Sequence, residues 1–92
     1  MQVTTHSGRK FMSGTLAGTS LVVPMDGAPL PATITLKSAD AGRKIELSTD
    51  DGVEYFQPVY DVNSATMLVV SISAPISHVK FTAAITDTWS VR

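Results

Sequence analysis

Residues able to do chemistry are sparse in this chain, and they are scattered. It has two histidines, His6 and His78, eight Asp or Glu and no cysteine. A nucleophile, a base and an orienting group would therefore have to come from hydroxyls, imidazoles and carboxylates that the sequence keeps apart. His78 opens a strand-like run with the parity opposite to Val79 and Phe81, which turns it to solvent beside Ser73 or Ser77. His6 stands alone near the N-terminus. Asp50, Asp51 and Glu54 gather around an Asp51-Gly52 dipeptide, a set of oxygen ligands of the kind Ca²⁺ takes, although a tight turn uses the same residues for its own hydrogen bonds. There is no glycine-rich phosphate loop and no histidine pair at ligand spacing. No catalytic, metal-binding or cofactor-binding residue is assigned, and the chain reads as a non-enzyme.

Composition narrows the classes further. Ninety-two residues make one domain, 1–92, with a single core. The net charge of −1, with both signs interspersed, excludes the basic stripe that a nucleic-acid partner requires. No apolar run approaches the length of a membrane span, and the first ten residues lack the apolar core of a secretion signal. Without cysteine the fold rests on packing and ladder hydrogen bonds. Only 16% of residues are charged and the mean hydropathy is +0.17, so charge protects the surface only weakly against association. Two readings remain open at this point: a well-buried small β-domain with a threonine-rich face, and a subunit that works inside an assembly.

The elements that must position these residues are strands. Residues 43–60, RKIELSTDDGVEYFQPVY, read as a hairpin about Asp51-Gly52. A two-residue turn sets Leu47 opposite Phe56 and Ile45 opposite Pro58 on an apolar face, and Ser48 opposite Tyr55 on a polar one. Pro58 places the end of the second arm at an edge or exit. Before this hairpin, residues 1–10 form an N-terminal arm, Phe11 and Leu16 are core candidates of opposite parity reconciled by a bulge at Gly14, and 19–23 form a short strand stopped by Pro24. The proline-rich segment 24–31 is a stiff loop. Residues 33–36 alternate with Ile34 and Leu36 inward. After the hairpin, 61–66 is a polar loop and 67–74 the clearest strand, with Leu68, Val70 and Ile72 on one face. A tight connection at Pro75-Ile76 sets Ile72 against Val79 and Val70 against Phe81, and a last strand, 88–92, returns with Trp89 opposite Phe81 and Val91 opposite Val79. Helical spacing is absent and turn signals recur every eight to twelve residues. The pattern predicts an all-β fold, a small antiparallel β-sandwich or barrel of about seven to eight strands, Ig-like or jelly-roll-like.

Residues 42–58, GRKIELSTDDGVEYFQP, followed by 77–92, SHVKFTAAITDTWSVR, resemble the small β-sandwich proteins of tailed-bacteriophage virions, in which a hydrophobic-Glu-Leu-Ser strand leads into an Asp-Gly hairpin and an aromatic residue. Leu47, Asp51, Gly52 and the pair Tyr55 and Phe56 carry the likeness as structural residues, although Asp50-Asp51-Gly52 stands where the pattern has Asp-Gly-Gly. The resemblance implies a virion structural protein assembled in the host bacterial cytoplasm. Its foremost implication is a capsid decoration or cement protein, a homo-oligomer binding between major capsid subunits, and its alternative a tail or neck component. From another class, a sandwich with exposed Tyr55 and Tyr60 could be a carbohydrate-binding module. The partner interface is expected on the arm, through Met1, Val3, Thr4 and Thr5, and on the proline-rich loop, through Met25 and Leu30, apolar residues that the prolines hold away from the core; the alternative is that the arm is the first strand and the loop folds back over one end of the sandwich. The core is expected around Leu47, Phe56, Phe81 and Trp89.

Turn chemistry rather than calcium at Asp50, Asp51 and Glu54 has a direct test. Treatment with EDTA should leave the melting temperature unchanged, because a bound ion would raise it by mass action; a drop of several degrees on chelation would assign the cluster to a metal.

Overall fold

A computed structural model of the chain describes residues 2–6, 9–16, 20–25, 30–37, 43–64, 66–82 and 87–92, the side chains of 2–6 and 9–11 excepted. Every described element is a strand or a connection between strands. In chain order these are β1 (Gln2–His6), β2 (Arg9–Thr15), β3 (Ser20–Pro24), β4 (Ala32–Lys37), β5 (Lys44–Ser48), β6 (Val62–Asn63), β7 (Met67–Ile72), β8 (His78–Thr82) and β9 (Thr88–Val91). They form two antiparallel sheets, a six-stranded one in the order β1-β2-β9-β4-β7-β6 and a three-stranded one in the order β3-β8-β5. The expected all-β sandwich is the observed fold. Its two additional short elements are β1, from the stretch read as an arm, and β6, from the stretch read as a polar loop.

Alternation of apolar and polar residues decides which side of each strand enters the core. Ile34 and Leu36 of β4, Leu68, Val70 and Ile72 of β7, and Trp89 and Val91 of β9 are buried from the large sheet, while Val23, Ile45, Leu47, Val79 and Phe81 meet them from the small one. Phe81 and Trp89 touch across the layer, with ring centroids 5.3 Å apart and ring planes at 32°. That separation suits a tilted aromatic pair, worth somewhat more than its buried area alone.

Which strands are neighbours differs from the expectation. Residues 67–82 do not form a hairpin: β7 pairs with β4 and β6 in the large sheet, and β8 pairs with β3 and β5 in the small one. Nor does β9 lie beside β8. It pairs with β2 and β4, Trp89 opposite Gly14 and Leu36, so the Phe81 contact expected within one sheet is made between two. Of the links between consecutive strands, only β1 to β2 and β6 to β7 join neighbours in a sheet, and the others pass from one sheet to the other. The bulge at Gly14 is also absent. β2 runs against β9 in unbroken register, and Met12 and Leu16, which share a parity, are both buried; the side chain of Phe11 lies outside the described residues.

The hairpin of 43–60 is real but short. Leu47 and Phe56 exchange backbone hydrogen bonds of 2.8 and 2.9 Å, the pairing expected, and no longer ladder follows among the described residues. β5 instead pairs along its length with β8, Ile45 opposite Phe81 and Leu47 opposite Val79. Phe56 therefore sits outside the edge of the small sheet rather than in the core, and it remains 49% exposed. Ser48, expected on the polar face, is fully buried.

These positions rank the aromatic truncations. Phe81→Ala should cost about 3–5 kcal/mol, whereas Phe56→Ala, half solvated to begin with, should cost about 1 kcal/mol. Urea denaturation of the two variants checks the order, and an equal loss would return Phe56 to the core.

Candidate functional site

The turn after β5 is built by its residue types. Asp51 and Gly52 both have positive φ, 64° and 86°, the backbone of the mirror-image turn that favours Asp or Asn followed by Gly. The Val53 N–H donates to the Asp50 carbonyl at 3.4 Å and closes it. Any Cβ at Gly52 would combine that unfavourable φ with a contact of 3.3 Å to the Tyr55 hydroxyl, so the position is reserved for glycine.

Ser48 is the polar centre beneath this turn. Its hydroxyl donates to Asp50 Oδ1 at 2.8 Å and accepts from the backbone N–H of Gly52 at 3.0 Å. Its carbonyl accepts from the Ser77 N–H at 2.8 Å and from the Ser77 hydroxyl at 3.1 Å. The Ser77 oxygen in turn accepts from the Asp51 N–H at 2.9 Å. A buried hydroxyl is tolerated when its bonding capacity is used, and here that use sews the turn to the entrance of β8.

Asp50 completes the arrangement. The backbone N–H of Glu54 and the hydroxyl of Ser48 donate to its carboxylate and hold its pKa below the ordinary 3.8. His78 is half-buried against the turn, a correction to its expected solvent-facing position, with Nδ1 4.0 Å from Asp51 Oδ1. Neither serine aims its proton at this imidazole: one donates to a carboxylate, the other to a carbonyl. The geometry is that of a structural knot rather than a nucleophile with its base. Among the described residues no group of three metal-ligating side chains converges.

Beyond the knot the chain leaves the small sheet and crosses to the large one, carrying apolar residues outward. Val53 is 79% exposed, Phe56 49%, Val59 91% and Val62 45%, each three residues from the next. Tyr60 faces the other way. Its hydroxyl accepts from the Ile45 N–H at 2.9 Å and donates to the Ile45 carbonyl at 3.2 Å, and so occupies backbone groups on the outer edge of β5.

The expected interface residues are dispersed by the fold. Val3, Thr4 and Thr5 lie in β1, paired with Met12, Phe11 and Lys10, so this stretch is an edge strand of the large sheet rather than a free arm; β-forming residues meet a strand of their own chain. Met1 lies outside the described residues. Met25 is buried in the core at 6% exposure, a correction to its expected place on a partner interface: its N–H donates to the Ser77 carbonyl at 2.9 Å and extends the pairing of β3 with β8, and its side chain joins the core cluster. Leu30 is exposed, as expected. Asp51 and Gly52 occupy the expected turn, and Leu47, Phe81 and Trp89 the expected core. The exposure of the apolar residues at 53–62 was hidden in the sequence by the hairpin reading, which turned Phe56 inward. Comparison of the chain with protein-family models, with curated proteins and with solved structures finds no match in any of the three.

The bonded Asp50 carboxylate makes the knot pH-dependent. A carboxyl whose folded pKa lies below its unfolded value stabilises the fold above the unfolded pKa, near 4, and ceases to do so as pH falls through the folded one. Asp50→Ala should therefore lower the melting temperature at neutral pH, and its deficit against the wild type should shrink as pH drops below about 4. A deficit constant across that range would show that the charge is not involved.

Proposed function

We propose that this chain is a non-enzymatic structural protein of a tailed-bacteriophage virion, a capsid decoration or cement protein that binds between major capsid subunits as a homo-oligomer. The observation that carries the assembly role is the strip of Val53, Phe56, Val59 and Val62, outward-facing apolar groups on a chain with little surface charge. Burying such a side chain against a neighbour returns about 1.5–3 kcal/mol, and charge-poor surroundings oppose contact only weakly. β1 at the margin of the large sheet offers a second contact, since a neighbouring strand can add to it. The virion assignment itself rests on the resemblance of 42–58 and 77–92. It brings assembly in the bacterial cytoplasm, with neither nucleic acid nor membrane as partner.

Placement in a tail or neck shares the same physical basis and differs in stoichiometry. A decoration protein accompanies the capsid subunits in comparable numbers, whereas a neck component is present as one ring. A carbohydrate-binding module working through tyrosine platforms is disfavoured, because the Tyr60 hydroxyl is committed to Ile45 and the Lys80 ammonium lies 5.6 Å from the centre of the Tyr55 ring.

The strip can be tested without disturbing the core. The double variant Val53→Ser, Val59→Ser should keep the wild-type melting temperature yet lose self-association and binding to undecorated capsids, measured by sedimentation with copy counting in purified particles. Undiminished binding by the folded variant would remove the strip from the interface.

A further inference from the structure

The outer face of the large sheet carries a second surface, different in chemistry from the apolar strip that reaches the same face at Val62. A groove of about 320 Å³ lies over β2, β9 and β4, and its lining contains five hydroxyl side chains and two cations but no carboxylate side chain. The register explains the array. Ser13, Ser90 and Thr35 are successive cross-strand partners and form one row, and Thr15, Thr88 and Lys37 form the next. On the other side of the serine row, Arg92 is joined to Thr33 by reciprocal backbone hydrogen bonds of 2.7 and 2.9 Å. Partners in a row are about 4.8 Å apart, and the rows carrying Lys37 and Arg92 about 13 Å.

Two properties define the chemistry of this surface. The five hydroxyls make no side-chain hydrogen bond among the described residues, although Ser13, Thr35 and Ser90 are half-buried. Lys37 and Arg92 form no ion pair among the described residues. Donating and accepting capacity is therefore concentrated in a depression open to solvent, with positive charge on either side of it.

From this we infer that the groove is a binding site for an acidic saccharide. Hydroxyls both donate and accept, which matches the hydroxyls of a sugar better than a simple anion, for which donors alone suffice. The strand spacing presents them at intervals comparable with a sugar ring. Lys37 and Arg92 supply the complement to carboxylates carried on separate sugar units, and Arg92 suits a two-point contact. The Trp89 ring faces the core and offers no stacking platform, so recognition is polar and the affinity modest. The serine row continues through Val69 of β7 to Val62 of β6, so the strip reaches this face at Val62, two strands beyond Thr35, while the groove itself lies on β2, β9 and β4.

Amide NMR of the isotope-labelled full chain, titrated with a short oligogalacturonate, tests the site. Saturable shifts should centre on Ser13, Thr35 and Ser90. Lys37→Gln and Arg92→Gln should each weaken binding about tenfold, as expected for one charge-assisted hydrogen bond, and Thr35→Val, which keeps the strand-forming shape, should weaken it severalfold. Polyglutamate and a neutral maltooligosaccharide should bind much more weakly. Absence of saturation at these residues would overturn the proposal, as would equal binding of polyglutamate, which marks simple charge attraction, equal binding of the neutral sugar, or affinity unchanged in the three variants. Because all three substitutions lie outside the apolar strip, capsid binding should persist in them, and failure of the virion role leaves this test intact.

Discussion

The contact between Phe81 and Trp89 is the constraint on which the sandwich depends. Each ring stands on an inner strand of its sheet, β8 between β3 and β5, and β9 between β2 and β4. A bulky ring on each side fixes how the two sheets face one another, and the smaller Val23, Ile34, Leu36, Ile45, Val70 and Val79 fill the space around them. A protein without disulfides has only such packing and its ladders to offset the entropy of ordering the chain. The short strands are held because each inner one is hydrogen-bonded on both sides.

That arrangement leaves the three-stranded sheet with two edges, and the segment after β5 deals with one of them. Leu47 is bridged by Phe56, Ile45 is capped by the Tyr60 hydroxyl, and the Ser48, Asp50 and Ser77 hydrogen bonds fasten the intervening turn to β8. The same excursion that covers the edge carries Val53, Phe56, Val59 and Val62 outward. Edge protection and a docking surface thus have one structural origin: the chain must leave the small sheet to reach β6, and it does so with apolar residues on its outer side. The outer face of the six-stranded sheet presents hydroxyls and cations over β2, β9 and β4 and apolar Val69 and Val62 over β7 and β6, so polar and apolar contact divide that face between its strands.

Much of this was determined by the sequence alone. Period-two alternation named the inward residues of β4, β7, β8 and β9, and Asp51-Gly52 dictated a two-residue turn whose register with Leu47 and Phe56 is the one observed. These are local properties, set by sterics within a few residues. The tertiary structure decided which strands are neighbours, that Met25 and Ser48 go inside, and that Phe56 stays at the rim. Alternation tells a strand which face to bury, but in a sandwich that face is satisfied equally by a neighbour in its own sheet and by the sheet opposite. Phe81 and Trp89 meet in either case. Sheet membership is settled by the backbone edge that supplies the hydrogen bonds, and backbone groups are alike in every residue but proline. The hydroxyl rows of the outer face are the same lesson in reverse, since Ser13, Thr35 and Ser90 are far apart in the chain and only the pairing of β2, β9 and β4 brings them together.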